Sequence, residues 1–232
     1  EANLPLLHAV MKGFFITFEG IEGCGKTTQI KLLAEKLRGE GREILLTREP
    51  GGTEIGERIR SVLLDAAHRD MSPVTELLLY GAARNQHVRE VIRPALERGA
   101  VVLCDRYADA TTAYQGAARR IELRTIEEVH RVATEGLWPD LTILLDMKAE
   151  SGLARARDRN MCEEVAGRED RFEQEELSFH ERVRDGYLAI AKSHPGRVAV
   201  VDADRSIEDL HRRISELVDG ALNSHTGLTV KG

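Results

Sequence analysis

Lys26 and Thr27 close the run Gly20-Ile21-Glu22-Gly23-Cys24-Gly25-Lys26-Thr27-Thr28, which fits the phosphate-binding pattern G-x-x-x-x-G-K-[ST]. Each residue type has a reason. Glycines let successive backbone N–H groups converge on an anion where a Cβ would obstruct them. The lysine brings a mobile positive charge to the β- and γ-phosphates of a nucleotide, and the threonine hydroxyl can ligate Mg²⁺. Farther along, Asp105 and Arg106 end the apolar run Ala100–Cys104. An acid closing a strand beside a phosphate loop serves Mg²⁺ or its water shell. A neighbouring guanidinium can grip a phosphate with two parallel bonds. Residues 20–28 therefore predict a nucleoside triphosphate site.

The flanks separate a site from an ordinary glycine-rich turn. Phe14–Phe18 is short, apolar and rich in strand formers, whereas Ile30, Leu33, Ala34 and Leu37 recur at helical spacing. Further apolar strands are predicted at Glu43–Thr47, Ala100–Cys104, Leu141–Leu145 and Val198–Val201. Between them fall helices: one from Thr53 or Glu54 with Ile55, Ile59, Val62 and Leu63 inward, and one over Pro73–Arg98 capped by Ser72. Leu77, Gly81, Val88, Val91 and Ala95 form the inward stripe of that long helix, and Tyr80, Arg84 and His87 share another face. Helices over Leu123–Gly136 and Gln174–Lys192 and a closing helix capped by Ser206 complete the alternation. Alternating strands and helices imply an α/β fold: a P-loop NTPase domain, a five-stranded parallel sheet with helices on both faces, its phosphate loop at the carboxyl edge.

Composition narrows the class. The chain has 232 residues and a formal net charge of −6, which argues against a general nucleic-acid surface. No apolar run approaches the roughly 20 residues that span a bilayer. Cys24, Cys104 and Cys162 lack metal or redox spacing and predict reduced thiols in a cytoplasmic protein, Cys24 as a small packed side chain. Residues 1–10 read as a leader or as added residues before Met11, residues 11–222 as one P-loop domain, and residues 223–232 as a frayed tail. In residues 151–171 five arginines (155, 157, 159, 168 and 171) alternate with five acids, so the stretch is no basic patch. It reads either as a solvated helix end or as a mobile lid that delivers an arginine to a transferring phosphoryl group.

The order of these segments resembles the thymidylate kinases from Met11 to Leu222. The motifs are Phe18–Gly23 running into Gly25–Thr28, then Arg48–Thr53, Tyr80–Arg84, Asp105–Tyr107, Ala113–Gly116 and Asp170–Glu173. The resemblance implies transfer of the γ-phosphoryl of ATP to thymidine 5′-monophosphate with Mg²⁺, a step toward dTTP, by a homodimer. Carried over by position, Glu22 should face the deoxyribose, Tyr80 should stack on thymine, and Arg84 should reach thymine and the acceptor phosphate. Arg106 should bind that phosphate, Thr111 should contact the base, and Tyr114 and Gln115 should line sugar and base, with Tyr114 crowding a 2′-hydroxyl. Glu49 and Pro50 join this acceptor set, Thr27 and Asp105 serve the metal, and Lys26 and Arg106 are catalytic. With Gly23 and no arginine in the phosphate loop, the family pattern puts the catalytic arginine in the lid, among Arg155, Arg157 and Arg159. Three features depart from the pattern: Tyr80 stands for phenylalanine, Gly81 costs the helix roughly 1 kcal/mol, and the stretch between Arg159 and Asp170 is long. A kinase for another nucleoside monophosphate, or for a deoxynucleoside with Glu49 as base, is the alternative. A nucleotide-dependent switch is the non-enzymatic one.

Overall fold

A computed structural model describes residues 13–162, 171, 172 and 174–229, with the side chains of 159–162 and 226–229 left aside. The expected leader, and residues 163–170 of the expected lid, lie outside the described residues. Five strands form one all-parallel sheet in the order β2-β3-β1-β4-β5: β1 Phe14–Glu19, β2 Ile44–Arg48, β3 Val101–Asp105, β4 Leu141–Asp146 and β5 Val198–Asp202. β1 lies at the centre and all six of its residues are buried, as a strand covered on both faces must be. The period of two sorts its side chains. Phe14, Ile16 and Phe18 join Leu33 and Leu37 in one core, while Phe15 joins Val88, Ile92 and Leu96 in another on the opposite face. Each core thus seals one side of the sheet.

Around the sheet run α1 Lys26–Gly39, α2 Glu54–Leu64, α3 Pro73–His87, α4 Arg93–Glu97, α5 Ala108–Thr111, α6 Leu123–Thr134, α7 Ala149–Cys162, α8 Leu177–Ser193 and α9 Ile207–Thr229. The predicted caps are in place: Ser72 Oγ accepts from Thr75 N at 3.1 Å and Ser206 Oγ from Asp209 N at 3.1 Å. Among the described residues no helix is long and apolar enough to cross a membrane.

Four expectations need correction. The helix predicted over Pro73–Arg98 is continuous but passes through a π turn, Val88–Ile92. Pro94 has no N–H and crowds the carbonyl four residues back, so the turn before it widens, and Arg93 N reaches Val88 O. The inserted residue shifts the phase: Ile92 and Leu96 are buried, and Val91 is only half-buried. In α2 the inward positions are Gly56, Leu63 and Leu64, whereas Ile55 and Val62 are exposed. The stretch from Asn223, expected to fray, continues α9 to Thr229, and His225 packs edge-on against Phe14 at 5.1 Å. Gly81, which weakens its helix locally, is required by packing: a Cβ there would stand 2.8 Å from Val129 of α6.

Candidate active site

The carboxyl ends of β1, β3 and β2 bring the predicted residues together. Gly20, Gly23 and Gly25 adopt φ of 134°, 71° and 93°, in the left-handed half of the map where side chains are disfavoured. Gly23 has a second reason to lack a side chain. Helix α7 lies against it, and a Cβ would come within 2.0 Å of Gly152 O. No arginine fits at that position. Lys26, at the first turn of α1, donates to Gly20 O at 3.0 Å and Ile21 O at 2.8 Å, and Cys24 beside it is buried. The lysine folds over its own loop, which leaves backbone N–H groups and the α1 dipole facing any incoming phosphate.

The end of β3 serves two sides at once. Thr27 Oγ1 donates to Asp105 Oδ2 at 3.1 Å, so the hydroxyl and carboxylate expected at a metal stand together. Among the described residues no three His, Cys, Asp or Glu side chains form a metal cage. A hydroxyl–carboxylate pair fits Mg²⁺, which keeps its waters and takes phosphate oxygens rather than an all-protein shell. One residue on, Arg106 holds φ at 70°, sparsely populated for a non-glycine residue and the kind of backbone strain found at functional sites. Its Nη2 donates to Glu22 Oε1 and its Nη1 to the Tyr187 hydroxyl, both at 3.1 Å, and its guanidinium lies 4.9 Å over the Tyr114 ring. The Tyr114 hydroxyl donates to the same Glu22 oxygen at 2.6 Å, and Nδ1 of the buried His180 lies 3.2 Å from Glu22 Oε2. Burial alone would raise the Glu22 pKa, but Arg106 foremost, with His180 and Lys26, holds the carboxyl well below the usual range. Behind this layer, fully buried Glu19 accepts from the Tyr187 hydroxyl and from Tyr107 N, both at 2.7 Å. Burial, helped by Asp109, pushes its pKa up to about 8.

The remaining residues expected at the acceptor form a second polar layer below the loop after β2. Arg84 is among the most buried side chains. Its Nε donates to Glu49 Oε2 at 2.7 Å and its Nη2 to Tyr107 O and Thr111 Oγ1, both at 3.0 Å. Its Nη1 has no hydrogen bond. A buried cationic N–H without a partner is costly, and an anionic ligand would satisfy it. Glu49 also pairs with His87 Nδ1 at 3.0 Å, and the cis Glu49-Pro50 bond turns the chain above them. Gly52 must be glycine there, since a Cβ would meet His87 Nε2 at 2.6 Å. Tyr80, half-buried, has its ring 6.5 Å from Phe172, and burial raises its hydroxyl pKa.

Two groups of predictions fare differently. Gln115 is buried and its Nε2 donates to Glu76 Oε1 at 2.7 Å, so it braces a carboxylate. Arg155 and Arg157 are exposed on α7, Arg155 lying 3.3 Å from Asp204. The side chain of Arg159 lies outside the described residues. Sequence reasoning missed Glu76, which Arg171 approaches at 2.7 Å and Arg119 at 3.3 Å, and it missed Glu19, His180 and Tyr187. Buried acids in apolar segments, Glu19 at the end of Phe14–Phe18 above all, were the available signal.

This arrangement can hold two anions: one in the amides of residues 20–28, another before Arg106 and Arg84. The thymidylate kinase family model matches residues 18–214. A thymidylate kinase of Trichlorobacter lovleyi is 54% identical over 88% of this chain and 96% of its own length. That of Geotalea daltonii is 52% identical over 92% of this chain and 100% of its own. Among solved structures, thymidylate kinase from Ehrlichia chaffeensis superposes with a TM-score of 0.72 at 33% identity, covering 89% of this chain and 98% of its own. With the family model matched over residues 18–214 and relatives more than half identical over most of both chains, the chain belongs to the thymidylate kinases.

Proposed function

We propose that this protein transfers the γ-phosphoryl group of ATP to thymidine 5′-monophosphate, forming the diphosphate on the way to dTTP. The observation that carries the reading is the split at the end of β3: Asp105 turns to Thr27 beside the phosphate loop, and Arg106 turns to Glu22 and Tyr114. Adjacent residues thereby bind to opposite ends of one phosphoryl transfer. An acceptor monophosphate oxygen is already anionic, so no general base is needed; the protein has to align two polyanions and offset their repulsion. Lys26 and the amides of residues 20–28 hold the donor phosphates. Arg106 and the free Nη1 of Arg84 hold the acceptor phosphate, and Tyr114 and Glu22 close over the sugar. Thr27 and Asp105 would hold Mg²⁺, which supplies charge neutralisation between the β- and γ-phosphates when bound.

In the same reading Tyr80 stacks on thymine, Thr111 holds Arg84 in register, and Pro50 seats Glu49 under it. Gln115 and Glu76 form the floor. An arginine of α7 (Arg155, Arg157 or Arg159) swings to the transferring group. Replacing all three by alanine is expected to lower kcat by at least about a hundredfold while ATP affinity changes little; an unchanged kcat removes α7 from the chemistry. Dimerisation is supported by Ile55 and Val62 of α2 with Val74 and Leu78 of α3, all exposed on two packed helices. Sedimentation at micromolar concentration reads it directly, and a monomer refutes it. Buried free thiols at Cys24 and Cys104 fit a cytoplasmic enzyme.

The test is an acceptor panel with ATP and Mg²⁺: thymidine monophosphate, the other common monophosphates, and thymidine itself. Label from γ-phosphate should appear in thymidine diphosphate. Preference for thymidine over its monophosphate would favour a nucleoside kinase, and hydrolysis independent of any acceptor would favour a switch.

A further inference from the structure

A groove of about 920 Å³ opens between α6 and α8. Trp138 and Arg197 on its wall lie just before β4 and β5, so it sits toward the amino ends of the strands, away from the phosphate loop. Its volume is within the roughly 300–1,000 Å³ of small-molecule sites. Two elements separate it from the acceptor site and belong to both. The π-helical segment Thr112–Ala118 turns Gly116 and Ala117 to the groove and sends Tyr114 to Glu22. Helix α8 turns Gly186 and Ala189 to the groove and sends Tyr187 to Arg106.

The floor carries one buried polar atom without a hydrogen-bond partner. His130 is 4% exposed; its Nε2 lies 3.0 Å from Thr112 Oγ1, and its Nδ1 has no hydrogen-bond partner. Burial, with some help from Arg84, pushes this imidazole down to about 3, so it is neutral at any working pH. The charges beside it cancel, because Arg197 grips Asp109 through two bonds of 2.6 and 2.9 Å. Above them Trp138, 42% exposed, meets His130 edge-on at 5.6 Å with the Arg197 guanidinium 5.4 Å from its ring. Glu127 and Arg131, also on the lining, are exposed and of opposite sign. An aromatic wall, a floor without net charge and one unsatisfied imidazole nitrogen select for apolar area and for a single hydrogen bond.

We propose that this groove is a second ligand site, taking an uncharged aromatic molecule whose one hydrogen-bonding group meets His130 Nδ1, and that its occupancy alters acceptor binding through the Thr112–Ala118 segment and α8. The coupling half rests on the acceptor site proposed above. Coupling of this kind is reciprocal: each ligand changes the affinity of the other by one common factor.

Trp138 is the only tryptophan in the chain, so the groove carries its own reporter. The probe is N-phenyl-1-naphthylamine, which is uncharged, has one N–H and accepts energy from tryptophan emission. With the full chain, saturable binding of one probe per protein with quenching of Trp138 is expected. Ala189→Phe and, one turn on, Ser193→Tyr obstruct the groove from exposed positions of α8 and should each weaken the probe at least about tenfold. Neither should change the calorimetric affinity for thymidine monophosphate measured without probe, which reports on fold and tests the acceptor reading separately. Saturating probe should shift that affinity about fivefold or more in the unsubstituted protein. Unsaturable binding, or equal probe affinity in both variants, overturns the site. Probe binding that leaves acceptor affinity unchanged overturns the coupling.

Discussion

Lys26→Ala is expected to lower kcat by on the order of 10³-fold at saturating ATP while leaving the melting temperature nearly unchanged. The direction follows from what the ammonium group does in the free protein. It rests on Gly20 O and Ile21 O at 3.0 and 2.8 Å, buried contacts that stay within its own loop and tie no strand or helix to another. In the proposed reaction it would meet negative charge spreading over the transferring group, and nothing else in the loop carries a positive side chain. Lys26→Arg is not expected to restore the rate, because a planar guanidinium cannot occupy the pocket of a compact ammonium. Steady-state rates with measured ATP affinity check this, and a kcat within tenfold of the unsubstituted protein would remove Lys26 from the reaction.

The second large effect is on stability. Glu49→Ala should destabilise the fold by roughly 3–5 kcal/mol, because it leaves Arg84, 1% exposed, charged and without its carboxylate. For a chain of this size that is a fall in Tm of about 10 °C. Arg84→Ala should cost less, since Glu49 keeps His87 at 3.0 Å, and should instead raise the KM for the acceptor monophosphate. The asymmetry separates a structural carboxylate from a guanidinium that also binds substrate. Thermal melts and acceptor titrations of the two variants read it; equal Tm losses with equal KM values would show that the pair is only structural.

Much of this was legible before any coordinates. The phosphate loop is local: its glycines and its lysine all lie within residues 20–28, so their spacing alone reveals it. The parallel sheet needed only the alternation of strands and helices, whereas its order came with the structure; the caps at Ser72 and Ser206 needed only their own hydrogen-bonding chemistry. What escaped depends on distance in sequence. Glu76 collects Gln115, Arg119 and Arg171, and Tyr187 joins Glu19 to Arg106, pairings that no window of neighbouring residues contains. The pairing of Arg84 with Glu49 escaped because the two lie 35 positions apart. Ile55 and Val62 were assigned inward because an apolar stripe on a helix does not say which of two surfaces it faces. Gly81 looked like a defect, and only the approach of Val129 explains it. The π turn at Val88–Ile92 follows from Pro94, and with that residue taken into account the burial of Ile92 rather than Val91 was predictable.

The account stands on two phosphate sites that face each other across the end of β3. A single molecule can test that: adenosine and thymidine joined through a five-phosphate bridge, titrated calorimetrically against ATP and thymidine monophosphate alone. If the sites face each other as Asp105 and Arg106 imply, the bridged compound should bind at least about a hundredfold tighter than either nucleotide, as linked ligands with matched spacing do. It should also lose that advantage in Lys26→Ala. Binding no tighter than ATP itself would mean the two sites do not meet, and the phosphoryl-transfer reading would fail with them.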